Sequence, residues 1–306
     1  MSNFILDDLK NAFRAKGNGL TQIILINVIV YILVNIIDQF IQLSSATPTE
    51  YYDLSGEFMS WMALPADLGY FIFRFWTLLT YMFLHEGFLH ILFNMLWVYW
   101  FGKILRQHLG NKSFVSTYLL GGFAGGILYM VVYNSVYLFD VPISGISINS
   151  ILIGASASVM AVVFAAATKL PNHSITLIFI GAIRLKYIAL FALVFTTLLD
   201  FSSNVGGNLA HLGGALYGYL YIRNLQRGID ISSGFNRMTD RITSVFKRGK
   251  TIKVVYKRPK SDDAFNAHRA NEQQKTDEIL DKISKSGYDS LSKEEKEFLF
   301  RVSNRK

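Results

Sequence analysis

A serine, two histidines and an asparagine stand in stretches that are otherwise almost wholly apolar. Ser156 lies in Gly154-Ala155-Ser156-Ala157, His211 in Ala210-His211-x-x-Gly214-x-x-x-Gly218, and His90 and Asn94 are four residues apart in HILFNMLW. Serine becomes a useful nucleophile when a base takes its proton, and histidine is the side chain whose unperturbed pKa suits that task near neutrality. Ser156 and His211 fit those two roles. Residues at i and i+4 share a helix face, so His90 and Asn94 can both aim donors at the oxygen that turns negative during acyl transfer. Each good donor contributes about 3–4 kcal/mol, and the Ser156 backbone N–H is a third.

Other chemistries fall away. The 306 residues include no cysteine, which removes disulfide scaffolds, thiolate zinc sites, iron–sulfur clusters and cysteine nucleophiles. His85-Glu86-x-x-x-His90 resembles a zinc-protease motif, but that motif needs its histidines at i and i+4 with the glutamate between, and here the spacing is five. His85 is expected to stabilise the chain at the entrance to the helix carrying His90, with no metal and no cofactor in the mechanism. Asp200, eleven residues before His211, sits at a span end, where an interfacial acid needs no catalytic explanation. Ser158 follows Ser156 by about 200° around a helix and is expected to pack away from it.

The elements that hold these residues are membrane spans. Hydrophobic residues make up 51% of the chain and charged ones 17%, against about 25% charged in soluble domains, and mean hydropathy is +0.30. Leu20–Leu43 is long enough to cross a bilayer, and too long for a signal-peptide core, so it reads as a retained span. Further spans are expected at Phe88–Leu105, Ser113–Tyr133, Ser150–Thr168, Tyr187–Phe201 and Gly206–Ile222. The fold class is therefore an all-α, six-transmembrane-helix bundle. Between the first two spans, residues 44–87 form an insert whose Trp61, Tyr70, Phe71, Phe73, Phe75 and Trp76 suit a membrane interface.

Charge orients the bundle. Lys10, Arg14 and Lys16, then Lys103, Arg106 and Lys112, then Lys169, Arg184 and Lys186 fall on one side, and Arg74 alone on the other. By the positive-inside rule both termini are cytoplasmic. Spans two, four and six then run inward. His90 and Asn94 in the first two turns of span two, Ser156 in the second turn of span four and His211 in the second turn of span six all lie roughly 5–12 Å below the outer surface. Polar residues inside a span are costly and by default functional. Gly154 beside the serine, and Gly214 and Gly218 after His211, let helices approach closely, as do Gly121, Gly122, Gly125 and Gly126 on span three. Asn27 and Asn35 on span one are expected to face the bundle interior.

The net charge of +8 belongs to the tail: residues 1–222 hold ten basic and ten acidic side chains, residues 223–306 twenty and twelve. Basic charge beside an apolar body points to anionic headgroups before nucleic acid, and no nucleic-acid partner is expected. The chain divides into a cytoplasmic segment 1–19, a membrane domain 20–222, a basic, weakly patterned linker 223–264 and a cytoplasmic helical hairpin 265–306. In the hairpin, Ile279, Leu280 and Ile283 form a stripe, Ser286-Gly287 a stop, and Ser292-x-x-Glu295 a capping box.

His90-x-x-x-Asn94, Gly154-Ala155-Ser156-Ala157 and Ala210-His211-x-x-Gly214-x-x-x-Gly218, in that order over roughly residues 15–225, resemble the rhomboid intramembrane serine proteases. The resemblance implies hydrolysis of peptide bonds in or near the transmembrane segments of other membrane proteins by a Ser–His dyad, without metal or cofactor. It also implies a water-filled cavity open to the outside, entered past span five and the loop insert. Two positions depart from the family pattern. Ala157 stands where the family usually has glycine, and Thr77 follows Trp76 where the family often has arginine. The hairpin resembles an extension on some bacterial rhomboids.

The expected protein is thus a serine endopeptidase whose partners are transmembrane protein substrates and the lipid bilayer, placed in a bacterial inner membrane. Two rivals are a rhomboid-like adaptor that binds spans without cutting them, against which the intact Ser156 and His211 speak, and a solute transporter. Transporters often carry inverted repeats and midplane sites; this chain shows no such repeat and its polar layer is shallow.

Overall fold

The computed structural model describes residues 17–141, 143–177, 181–197, 204–246 and 262–303. Lys10, Arg14, Lys16 and Asp200 lie outside them. The chain forms two compact units, Met1–Phe246 and Lys247–Lys306.

The first unit opens with α1 (Gly19–Ser44), whose start is tied down by the Gly19 N–H donating to Asn111 Oδ1 at 2.7 Å. Only its first part is buried, through Gly19, Leu20, Ile23 and Asn27. Asn27 behaves as expected, its Nδ2 donating to Ile23 O at 2.8 Å and to Tyr118 Oη at 3.1 Å. Asn35 does not. It lies two turns further along, where α1 has left the bundle, and its exposed Nδ2 turns back to Tyr31 O at 2.8 Å.

The insert contains α2 (Pro48–Ser60), capped by Thr47 with proline at its first position, the short α3 (Leu68–Phe73) capped by Asp67, and α4 (Thr77–Thr80) followed by a 3₁₀ turn at Tyr81–Phe83. Strand β1 (Leu64–Pro65) pairs antiparallel with β2 (Ile151–Leu152), Leu64 opposite Leu152 and Pro65 opposite Ile151. Trp61, Tyr70, Phe73 and Phe75 are exposed, as an aromatic belt at an interface would be.

Helix α5 (Phe88–Leu138) holds both expected second and third spans. Gly110, at φ 83° and ψ 168°, breaks it in two, a conformation essentially reserved for glycine. A Cβ on Gly102 would meet Phe114 Cε2 at 2.6 Å, although a continuous helix would hold those residues about 18 Å apart. The chain therefore folds back on itself at Gly110. Helix α6 (Ser156–Lys169) is buried on nearly every side. It is followed by a hairpin of β3 (Ser174–Leu177) and β4 (Gly181–Arg184), in register Ser174 opposite Arg184, then α7 (Leu185–Thr197) and α8 (Val205–Gln226). By length and composition α1 and α5 are long and apolar enough to cross a membrane, while α6 and α7 are shorter apolar helices.

Glycine sets the spacing at the centre. A Cβ on Gly214 would run into the Ala157 carbonyl, one on Gly218 into that of Ala161, and one on Gly213 would lie 2.8 Å from Ala124 O and Gly125 Cα. Backbone thus meets backbone among α6, α8 and the second half of α5, where small residues permit close approach.

Residues 223–264 are not wholly irregular, because Phe235, Met238 and Ile242 at i, i+3 and i+7 supply a helical apolar stripe, and α9 (Ser233–Phe246) forms there. In the second unit α10 (Asp262–Ser286) stops at Gly287, at φ 77°, and α11 (Lys293–Ser303) follows. The capping box closes as its spacing requires: Ser292 N donates to Glu295 Oε2 at 2.7 Å and Glu295 N to Ser292 Oγ at 3.2 Å.

Candidate active site

Three separate elements bring the four singled-out residues to one cavity. His90 and Asn94 come from the first two turns of α5, Ser156 from the start of α6 and His211 from the second turn of α8, and all four line a cavity of about 520 Å³. Its remaining wall is mostly apolar and aromatic, with Phe93 and Trp97 of α5, Met160 of α6, and Phe191 and Phe195 of α7, beside the polar Thr196 and Asn204. Phe191 and Phe195 stack with centroids 5.5 Å apart and are exposed.

Ser156 does not sit in the second turn of its helix, as the expected span Ser150–Thr168 would have it. It is the first helical residue, because the chain before it is committed elsewhere. Ile151 and Leu152 are paired with the insert, and Gly154, at φ 122°, turns the backbone into the helix. That turn is pinned from outside: Gly154 N donates to Tyr81 O at 2.9 Å, and Tyr81 Oη donates to Gly122 O at 2.6 Å. The first N–H groups of a helix lack intrahelical partners, so this position adds free backbone donors and a positive dipole end beside the serine.

A Cβ on Gly154 would lie 3.2 Å from His90 Cε1 and Nε2 and 3.6 Å from Ser156 Oγ. The imidazole of His90 and the serine hydroxyl thus flank the same small gap, and only glycine leaves it open. Asn94 is 7% exposed and its Nδ2 has no hydrogen-bond partner. A buried donor left unpaired is uncommon and costs about 1–3 kcal/mol, and it is the group an oxyanion would satisfy. His211 is 8% exposed with Nδ1 likewise unpaired. Among the described residues no hydrogen bond joins Ser156 to His211. Their backbones are held together one step away, where Gly214 closes on the Ala157 carbonyl. Catalytic hydrogen bonds in ligand-free enzymes are often long and tighten only with substrate.

The two departures from the family pattern have local explanations. The Ala157 methyl points at Gly125, whose own Cβ would come within 2.6 Å of it, so the extra carbon on α6 is matched by a missing one on α5. Thr77 is buried, its Oγ1 donating to Arg74 O at 2.6 Å. Arg74 itself supplies a guanidinium near Trp76: its Nη1 donates to Ser60 O at 3.0 Å and Ser60 Oγ at 2.8 Å, and it lies 4.6 Å over the Trp61 ring. Trp61 in turn stacks on Trp76 and accepts its Nε1–H at 2.9 Å.

Ser158 is fully buried, its Oγ 3.8 Å from Met82 Sδ, so it packs away from Ser156 as expected. His85 is buried and meets the His90 ring edge-on, centroids 5.1 Å apart. Neither the aromatic lining nor the His85–His90 contact is visible in the sequence. Phe191 and Phe195 look like any lipid-facing pair, and His85 lies before the helix begins.

A rhomboid-domain family model matches residues 73–227, and a family of unknown function (DUF6576) matches residues 260–305. The chain is similar to the Danio rerio presenilin-associated rhomboid-like protein A, mitochondrial, with 30% identity over 145 residues, 46% of this chain and 35% of that protein. It is also similar to the Arabidopsis thaliana RHOMBOID-like protein 6, mitochondrial, with 30% identity over 148 residues, 47% of this chain and 41% of that protein. The chain thus spans well under half the length of these relatives.

Proposed function

We propose, from the premise that this chain belongs to the rhomboid family, that it is an intramembrane serine endopeptidase acting on transmembrane protein substrates. The observation that carries this reading is the convergence of Ser156, His211, His90 and Asn94 on one cavity with the Asn94 amide donor left unpaired. His211 takes the Ser156 proton as Oγ attacks the scissile carbonyl. The carbonyl oxygen, now negative, is held by Asn94 Nδ2, His90 and the backbone N–H groups at the start of α6. The tetrahedral intermediate collapses, the C–N bond breaks, and His211 gives its proton to the leaving amine. Water, deprotonated by His211, then cleaves the acyl ester and restores Ser156.

In the same reading α1, the two halves of α5, α6, α7 and α8 are six crossings with both termini cytoplasmic, residues 223–306 forming a cytoplasmic tail. The basic loops support that orientation. We read that membrane as a bacterial inner one, which the absence of cysteine and the positive-inside pattern fit, and the mitochondrial names of the two relatives make an organelle membrane the alternative.

The test is cleavage of single-span model substrates by the purified full chain in liposomes. Wild type should cleave with chelator present, and Ser156→Ala and His211→Ala should not. A second reading, span binding without cleavage, is favoured by the missing Ser156–His211 hydrogen bond. Retention of substrate by wild type with no cleavage of any substrate in the panel would select it.

A further inference from the structure

Helix α9 follows directly on the last bundle helix and shows two faces. Phe235, Met238 and Ile242 recur at i, i+3 and i+7 and make the apolar one. Phe235 is half-buried, its ring edge-on to Phe123 of α5 with centroids 6.3 Å apart. Past that contact the stripe is exposed among the described residues: Met238 is 51% and Ile242 53% exposed, and Ile229 and Ile231 in the preceding turn are exposed as well. Exposed aliphatic residues grouped this closely mark an interaction surface.

The place where Phe235 docks identifies what covers the rest. Phe123, Ile127 and Val131 stand at i, i+4 and i+8 on the second half of α5, and Ile127 and Val131 are exposed, so this stripe faces lipid when the bundle is embedded. The apolar face of α9 is continuous with it at its cytoplasmic end. The charges agree. Asp240 is the only acidic residue between 233 and 246, and it is paired with Lys112 at the start of the second half of α5. Arg237 and Arg241 are exposed, and among the described residues neither has a carboxylate partner. An amphipathic helix with aliphatic residues on one side and arginines beside them is built to lie in the interface of an anionic leaflet.

We propose that α9 is an interfacial helix seated in the cytoplasmic leaflet, Met238 and Ile242 inserted among acyl chains and Arg237 and Arg241 paired with anionic headgroups. It is anchored at one end by Phe235 on Phe123 and by Asp240 on Lys112. The proposal rests on the reading that the bundle spans a membrane with its basic side cytoplasmic.

Because the chain has no cysteine, a nitroxide can be placed uniquely. Met238→Cys, Ile242→Cys, Ser244→Cys and, as a marker for the bundle itself, Val131→Cys are labelled in the full chain. Each is reconstituted in bilayers of phosphatidylcholine alone and of equal parts phosphatidylcholine and phosphatidylserine. Positions 238 and 242 should be more accessible to oxygen than to a water-soluble nickel chelate, like position 131, and position 244 the reverse. In the anionic bilayers, Arg237→Gln and Arg241→Gln should each shift the lipid-to-water ratio at position 242 about fivefold toward water. Chelate access at 238 and 242 with position 131 in lipid would overturn the interfacial helix alone, and chelate access at 131 would overturn the membrane reading beneath it. Low access to both reagents at 238 and 242 would mean that protein covers the face, which also overturns the proposal. A ratio unmoved by the arginine variants would overturn the headgroup pairing.

Discussion

Gly214→Ala tests whether the α6–α8 spacing sets the catalytic geometry. The added Cβ would run into the Ala157 carbonyl, 2.8 Å from the carbonyl carbon and 3.2 Å from Cα. All of these are backbone atoms, so no side chain can swing aside. Carbon atoms settle at about 3.5–4.0 Å, so the two helices must part by about 1 Å at this point. Ser156 is the residue before Ala157 and His211 lies one turn before Gly214, so that displacement falls on the proposed dyad. A misplacement of about 1 Å in a catalytic group costs on the order of 100-fold in rate, equal to about 2.7 kcal/mol of activation free energy. Stability should suffer less. Overpacking costs about 1–3 kcal/mol, and alanine returns about 1 kcal/mol of helix propensity over glycine. Gly218→Ala is the matched control, with the same clash against the Ala161 carbonyl one turn further from the serine. The assay is kcat on a single-span substrate, beside denaturant unfolding in micelles. Gly214→Ala should lose far more kcat than Gly218→Ala at similar loss of stability. Equal losses of kcat, or wild-type turnover in Gly214→Ala, would refute the reasoning.

Further outcomes are expected elsewhere. Asn94→Ala should lower kcat by about 100- to 1,000-fold with little change in KM, as removal of one oxyanion donor does; Michaelis–Menten kinetics would show it. Ser158→Ala should leave kcat within a small factor of wild type, since that hydroxyl is turned toward Met82. Arg74→Lys should destabilise the insert by about 0.5–1 kcal/mol, because an ammonium can still donate twice to Ser60 but does not stack flat on the Trp61 ring as the guanidinium does; protease sensitivity of residues 60–80 would report it. The Ser292 backbone N–H, and then Lys282, hold the Glu295 carboxyl below its ordinary value. A carboxylate with a lowered folded-state pKa stabilises above its unfolded value and loses that contribution as pH falls through the folded one. Amide protection at the start of α11, taken relative to intrinsic exchange at each pH, should therefore fall on acidification in the full chain, and Glu295→Gln should remove that fall.

The candidate site was legible in the sequence because its residues are costly in apolar helices and all fall within the first two turns of their spans. The helix ends were less so. Ser156 was expected a turn inside its helix, since apolar periodicity runs straight through Ile151 and Leu152 and gives no sign that they pair with Leu64 and Pro65 as a short sheet. Asn35 carried the same signal as Asn27, yet only Asn27 meets a partner on another helix, because α1 diverges from the bundle after its third turn. The turn between spans two and three was legible in the basic run Lys103, Arg106 and Lys112, but its contraction to the single residue Gly110, with helix on either side, was not. The match between Ala157 and Gly125 is a pairwise fit across two helices, which a one-dimensional reading does not contain.

The most direct measurement is labelling of the full chain by a serine-reactive fluorophosphonate, with the modified residue located by mass spectrometry. The account predicts modification at Ser156, abolished in Ser156→Ala and strongly reduced in His211→Ala, where no base is left to take the proton. Modification at another serine, or equal labelling with and without His211, would contradict it.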